Sequence, residues 1–194
     1  MGPRKPQIPV PVEPELLDRG LGLFQAHLAD KLTWLDAAYG RAEKLQETQQ
    51  KRAVVFPSVY AGGPVGKEYR KVWPDEHLGN FSFFDVEDGT QVRAVGRKVQ
   101  KVRASVGLVV SYDFRTVYPD DWHMRTRDNV LNEVILAVIS LSKPGLEIMA
   151  GKTWYEAKNV YKGYTDKEIN EQYAMRPYGL LRIDIDLNVS PVSC

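Results

Sequence analysis

Leu181-Arg182-Ile183-Asp184-Ile185-Asp186-Leu187-Asn188-Val189 alternates apolar and polar residues without a break. Period two puts Leu181, Ile183, Ile185, Leu187 and Val189 on one face of a β-strand, with Arg182, Asp184, Asp186 and Asn188 on the other. Such a strand covers a core with one side and meets water with the other. A second stretch repeats the pattern. Val106, Leu108, Val110, Tyr112 and Phe114 take one face, and Ser105, Gly107, Ser111 and Asp113 the other. Pro119 closes it.

Two segments have the helical period instead. From about Glu15, the residues Leu21, Phe24, Leu28, Leu32, Leu35 and Tyr39 recur every three or four positions, and Gly40 is placed to end the helix. The polar run Arg41 to Arg52 reads as a solvated helical extension or a loop. From Arg127 to Leu141, one face carries Val130, Val134, Ala137, Val138 and Leu141. Leu131, Ile135, Leu136 and Ile139 widen it until little is polar, which predicts a central, buried helix. Thr126 or Asp128 can cap its start, and Pro144-Gly145 ends it.

The remaining signals are shorter. Ala53 to Phe56 is a β-type run stopped by Pro57, and residues 58–79 read as a long loop. Asn80 to Val86, the turn Glu87-Asp88-Gly89-Thr90 and Gln91 to Gln100 predict a hairpin. Leu146 to Met149 and Thr153 to Glu156 are weak strands. Thr165 and Glu168 form a capping-box pattern for a short helix reaching about Tyr173. The expected fold class is α+β, an antiparallel sheet packed against an N-terminal helix and a central helix. One domain covers residues 15–194, with the long loop at 58–79 and an insertion around 150–175. Residues 1–14 carry five prolines and read as an extended arm. That arm is either a free tail or lies on a neighbouring subunit through Ile8, Val10 and Val12.

Composition narrows the function classes. The chain has 194 residues and a net charge of +1, so no global field draws it to nucleic acid or an anionic membrane. Its single cysteine, Cys194, excludes a disulfide framework within the chain and a cysteine-based zinc cage. That usage fits a reducing compartment. No apolar run reaches the roughly 18 residues of a membrane helix, so no membrane partner is expected.

Candidate chemistry is sparse. His27, His77 and His123 are not at ligand spacing. Asp120, Asp121 and His123 could touch a metal, but clustered Asp in a loop reads more simply as a helix lead-in. Asp184 and Asp186 imitate a D-x-D pair, yet Arg182 and Asn188 share their face, which argues for a solvated one. With no P-loop, G-x-S-x-G or H-E-x-x-H, the expectation is no catalytic site, no cofactor and no metal. Arg93, Arg97, Lys98, Lys101 and Arg103 place five cations within eleven residues with no acid among them. They suit a solvated edge strand protected against pairing, or a hairpin facing phosphates. Tyr60, Tyr69, Trp73, Trp154, Tyr155, Tyr161 and Tyr164 fall in loop-rich sequence and suit a protein interface or plugs at the ends of the sheet. The readings in play are thus a structural subunit, a small metal- or ligand-binding enzyme, and a standalone nucleic-acid-binding module.

The order of elements resembles the tail-terminator and tail-completion family of tailed bacteriophages. The resemblance rests on the helix Leu21 to Tyr39, the hairpin Phe81 to Val99 and the strand Ser105 to Arg115. The helix Asp128 to Leu141 and the final strand from Gly179 continue it. The Pro-rich arm, the loop from Ser58 to Gly79 and the insertion around Trp154 to Tyr164 depart from the compact pattern. They are similar to additions in neck ring proteins of short-tailed phages, including crAss-like ones. The resemblance implies a virion protein assembled in the host cytoplasm, a closed ring of roughly six or twelve copies at the head–tail junction. Its partners would be portal, neck or tail proteins, with non-specific contact to packaged DNA.

Overall fold

A computed structural model describes residues 6–11, 14–49, 51–64, 67–75, 77–95, 98–165, 169 and 171–191, with backbone only at 95, 98–100 and 171. Val12, Arg97, Glu168 and Cys194 lie outside the described residues, as does the side chain of Lys98. The elements run α1 (Leu16–Lys31), β1 (Ala37–Gln49), β2 (Arg52–Tyr60), β3 (Tyr69–Lys71), β4 (Phe81–Val86), β5 (Gln91–Val95) and β6 (Lys98–Asp113). Then follow α2 (Phe114–Val117), α3 (Arg127–Ser140), β7 (Leu146–Trp154), α4 (Ala157–Val160), a 3-10 turn (Glu171–Ala174) and β8 (Tyr178–Val189). Among the described residues, eight strands form one open sheet in the order β3-β2-β1-β4-β6-β8-β7, with β5 also on β6. The α+β class holds, but the sheet is mixed: β1 runs parallel to β4.

β8 is the backbone of the sheet, as its alternation predicts. It pairs along its length with β6, from Asp113↔Tyr178 to Val102↔Val189. Its apolar face, with Val106, Leu108, Val110 and Tyr112 of β6, packs under α1 and α3. The opposite face carries a second core. There Tyr39, Phe81, Phe83, Val109 and Leu180 are covered by Val160, Tyr161, Tyr164 and Ile169. The described parts of the covering segment, the strap, are residues 155–165 with α4, Ile169, and the 3-10 turn Glu171–Ala174.

Several expectations are corrected. The first helix ends at Lys31, not Gly40. Leu32, Leu35 and Tyr39 are buried as the helical spacing implied, yet they lie in a turn and in β1. The Asn80 carbonyl accepts the N–H groups of Asp36 and Ala37 and draws the chain into the sheet there. Arg41 to Gln49 is strand rather than helix or loop. It pairs with β2 in a hairpin whose outer residues are exposed, so no alternation marks it.

β2 continues through Pro57 to Tyr60. The Pro57 carbonyl accepts Val72 N–H at 3.0 Å, so the donor that proline lacks would face the short edge strand β3. The expected hairpin of β4 with β5 is absent. Both strands lie end to end along one edge of β6, β4 on Val106–Ser111 and β5 on Lys98–Arg103. The Asp88-Gly89 bend lets the chain continue along the same neighbour.

The two weak strands at 146–156 are one strand, β7, with a bulge between Ala150 and Thr153. The start of the helix expected from Thr165 and Glu168 lies outside the described residues, whose next element is a 3-10 turn at Glu171–Ala174. Thr165 itself is bonded to the sheet. It exchanges hydrogen bonds with Val55 of β2, N–H to carbonyl at 2.8 Å and Oγ1 to N–H at 2.9 Å. The helix α3 spans the expected residues, and Thr126 N–H donates to Asn129 Oδ1 at its start (2.8 Å). It is not buried all round. Val130, Val134, Ala137 and Val138 face the core, while Leu136 is 61% and Ile139 63% exposed.

The arm residues 6–11 run along their own domain. Gln7 N–H donates to the Asp36 carbonyl (3.0 Å), and Ala38 N–H donates to the Gln7 carbonyl (2.9 Å). The buried Gln25 amide donates to the carbonyls of Pro9 (3.0 Å) and Ala38.

Candidate functional site

Of the predicted cations, Arg93, Lys101 and Arg103 share one face of the sheet with Asp184 and Asp186, while Arg97 and the Lys98 side chain lie outside the described residues. Arg93 stands opposite Lys101 in the β5–β6 register, and Gln91 opposite Arg103. Lys101 Nζ lies 3.1 Å from Glu147 Oε2 on β7, and Arg103 Nη2 lies 3.3 Å from Asp186 Oδ2 on β8. Asp186 also accepts from Ser105 Oγ (3.0 Å). The ladder is therefore interleaved with acids supplied by neighbouring strands, which the local sequence does not contain. Both pairs are exposed, so each holds little free energy and its cation can exchange partners. Arg93 is exposed near the end of the hairpin.

Asp184 turns away from Asp186 in its bonding. It accepts from Arg182 Nε (2.9 Å) and from Trp154 Nε1 (2.7 Å). Among the described residues no three His, Cys, Asp or Glu side chains converge as a metal group would need. Asp121 pairs with Arg125 at 2.7 Å, and His123 is exposed with its ring 6.2 Å from that of Trp122.

The feature that the sequence reading missed is Arg182. Its alternation with apolar neighbours placed it on a solvated face, but its side chain is only 1% exposed. The strap covers it. Nη1 is 2.7 Å from Asp85 Oδ2 of β4, Nη2 is 3.1 Å from Glu87, and Nη1 is 3.4 Å from the Val160 carbonyl. Tyr164 Oη donates to Asp85 Oδ1 (2.9 Å), and Lys162 Nζ reaches Glu87 at 3.2 Å. Lys44 of β1 stands 3.8 Å from Asp85. Burial works against the guanidinium charge, but the bonds to Asp85 and Asp184 more than offset it and hold the pKa above the usual arginine value. Arg182, Lys44 and Lys162 balance Asp85, Glu87 and Asp184, so the cluster fastens the strap and leaves no surplus charge for a ligand.

Gly107 makes the cluster possible. A Cβ there would run into the Arg182 guanidinium, so only glycine leaves β6 flat enough for the side chain to cross. The aromatic candidates divide. Trp73 and Trp154 are half-buried in the second core, the Trp73 ring 5.1 Å from that of Tyr161. Tyr155 is half-buried beside the first core. Tyr60 and Tyr69 meet edge-on at 5.8 Å and, with Pro9, Val10 and Arg41, line a cavity of about 270 Å³ beside the arm.

No protein-family model matches the chain, and no curated protein matches it. No helix among the described residues is long and apolar enough to cross a membrane.

Proposed function

We propose that this chain is a structural subunit of a closed ring in the head–tail connector or neck of a tailed bacteriophage, joining the portal or capsid side to the tail around the DNA channel. It acts by assembly rather than catalysis. The observation that carries this reading is the outer face of α3. From Val134 to Ser142 there is no charged residue, yet Leu136 and Ile139 stand in solvent. Exposed apolar surface of this kind marks a contact with another protein. A contact between two different patches of one chain closes into a ring if its rotation divides a full turn.

The hairpin of β5 and β6 supplies the second support. Arg93, Lys101 and Arg103 share a face, and exposed pairs such as Lys101–Glu147 can release their cations to phosphates. In the ring this face lines the channel and contacts DNA without reading its sequence. The buried Arg182 cluster suits a rigid subunit, since it locks β4, β8 and the strap together.

Electron microscopy of the negatively stained protein tests the reading. The expected images are rings with an open centre. Open filaments, or particles with no channel, would overturn it.

A further inference from the structure

The arm presents a second set of uncovered apolar side chains. Ile8 is 40% and Val10 49% exposed, although the backbone of their neighbours Gln7 and Pro9 is pinned to Asp36, Ala38 and Gln25. A free tail would lose much conformational entropy on binding. This ridge is already ordered by prolines and main-chain bonds, so ordering it in a contact costs little more. Pro6 to Pro11 carries no charge, and neither does the outer face of α3 from Val134 to Ser142. Bringing the two together strands no ion in an apolar interface.

Their places in the fold suit a contact between copies. Gln25 of α1 reaches the arm, whereas His27 reaches α3, its Nε2 3.0 Å from the Ala137 carbonyl and 2.9 Å from Ser140 Oγ. Two positions apart on a helix are about 200° round its axis. The arm and α3 therefore flank α1 on opposite sides, and one copy cannot bring its own two patches together.

We propose that neighbouring copies meet head to tail, the Ile8–Val10 ridge of one seated on Leu136 and Ile139 of the next. The proposal rests on the ring reading and names its contact. A stable interface covers about 800 Å² on each partner, so these four side chains form its apolar centre within a polar rim.

Two variants test it, Ile8→Asp with Val10→Asp, and Leu136→Asp with Ile139→Asp. All four positions are exposed, and circular dichroism checks that the fold survives. Light scattering should find each variant monomeric, and an equimolar mixture should form one-to-one dimers through the single intact contact. Assembly that survives in the arm variant, or a mixture that stays monomeric, overturns the contact and leaves the ring reading standing. A wild-type chain that does not assemble removes both. Should either variant misfold, Val10→Cys with Ile139→Cys in a Cys194→Ser background gives a second readout. A short bismaleimide should join it into a ladder of multimers, and monomer alone would overturn the proposal.

Discussion

Arg182 and Asp85 meet at 2.7 Å beneath the strap, with side chains 1% and 2% exposed, the most buried ion pair among the described residues. Removing one partner of such a pair leaves an uncompensated charge in a site closed to water. Arg182→Met should therefore cost about 3–5 kcal/mol in urea unfolding. Gly107→Ala pushes a methyl into the same guanidinium and should cost about 1–3 kcal/mol. The two effects share one cause, so Gly107→Ala should cost much less once Arg182 is Met. Equal costs in both backgrounds would show that the close approach of Gly107 and Arg182 is not what selects glycine.

The two strap tyrosines should respond in opposite ways. Tyr164 Oη donates to the Asp85 carboxylate, whereas Tyr161 Oη is buried with no partner among the described residues. Tyr164→Phe should cost about 1–3 kcal/mol by taking a donor from a buried charge. Tyr161→Phe removes an unsatisfied polar atom and should be neutral or raise stability by up to about 1 kcal/mol. Thermal melts of the two variants read the difference, and equal destabilisation would contradict it.

Burial raises the pKa of Tyr112, Tyr161 and Tyr164 above the ordinary tyrosine value of 10.0, with the neighbouring Asp85 carboxylate adding to the rise at Tyr164. A raised pKa means the fold holds the proton more tightly than the unfolded chain. The stability from these groups is complete below about pH 10 and is lost as pH climbs above it. Their phenolate absorbance should appear together with loss of the circular dichroism signal, in one step. Ionisation of all ten tyrosines with the fold intact would contradict this burial.

How far the fold was legible follows from how each segment is buried. β8 and α3 were readable because one face of each meets a core, so alternation and helical spacing survive in the residues. β1 was not, since beyond Ala42 its own residues are exposed on both faces and nothing selects a period. Leu32, Leu35 and Tyr39 misled because they stay buried after the helix has ended. Arg182 was misplaced for a related reason. Alternation tells which residues share a face, but the strap that roofs this face lies up to 27 residues earlier in the chain. The cations of the hairpin were legible as a cluster, while their partners Glu147 and Asp186 come from other strands and only pairing reveals them.

The hairpin face yields a salt-dependent prediction. Arg93→Glu with Arg103→Glu should weaken retention of duplex DNA by the assembled protein, whatever its sequence. The slope of log affinity against log salt should become shallower by about 0.9 for each phosphate that is no longer neutralised. Filter binding from low to moderate salt measures it. An unchanged slope would mean this face does not meet DNA.

Native mass spectrometry of the purified wild-type chain over a concentration series measures the assembly itself. A ring-forming subunit should give one dominant closed species whose mass is a fixed multiple of the 22.0 kDa subunit, at roughly six or twelve copies. A single 22.0 kDa species at every concentration would contradict ring formation.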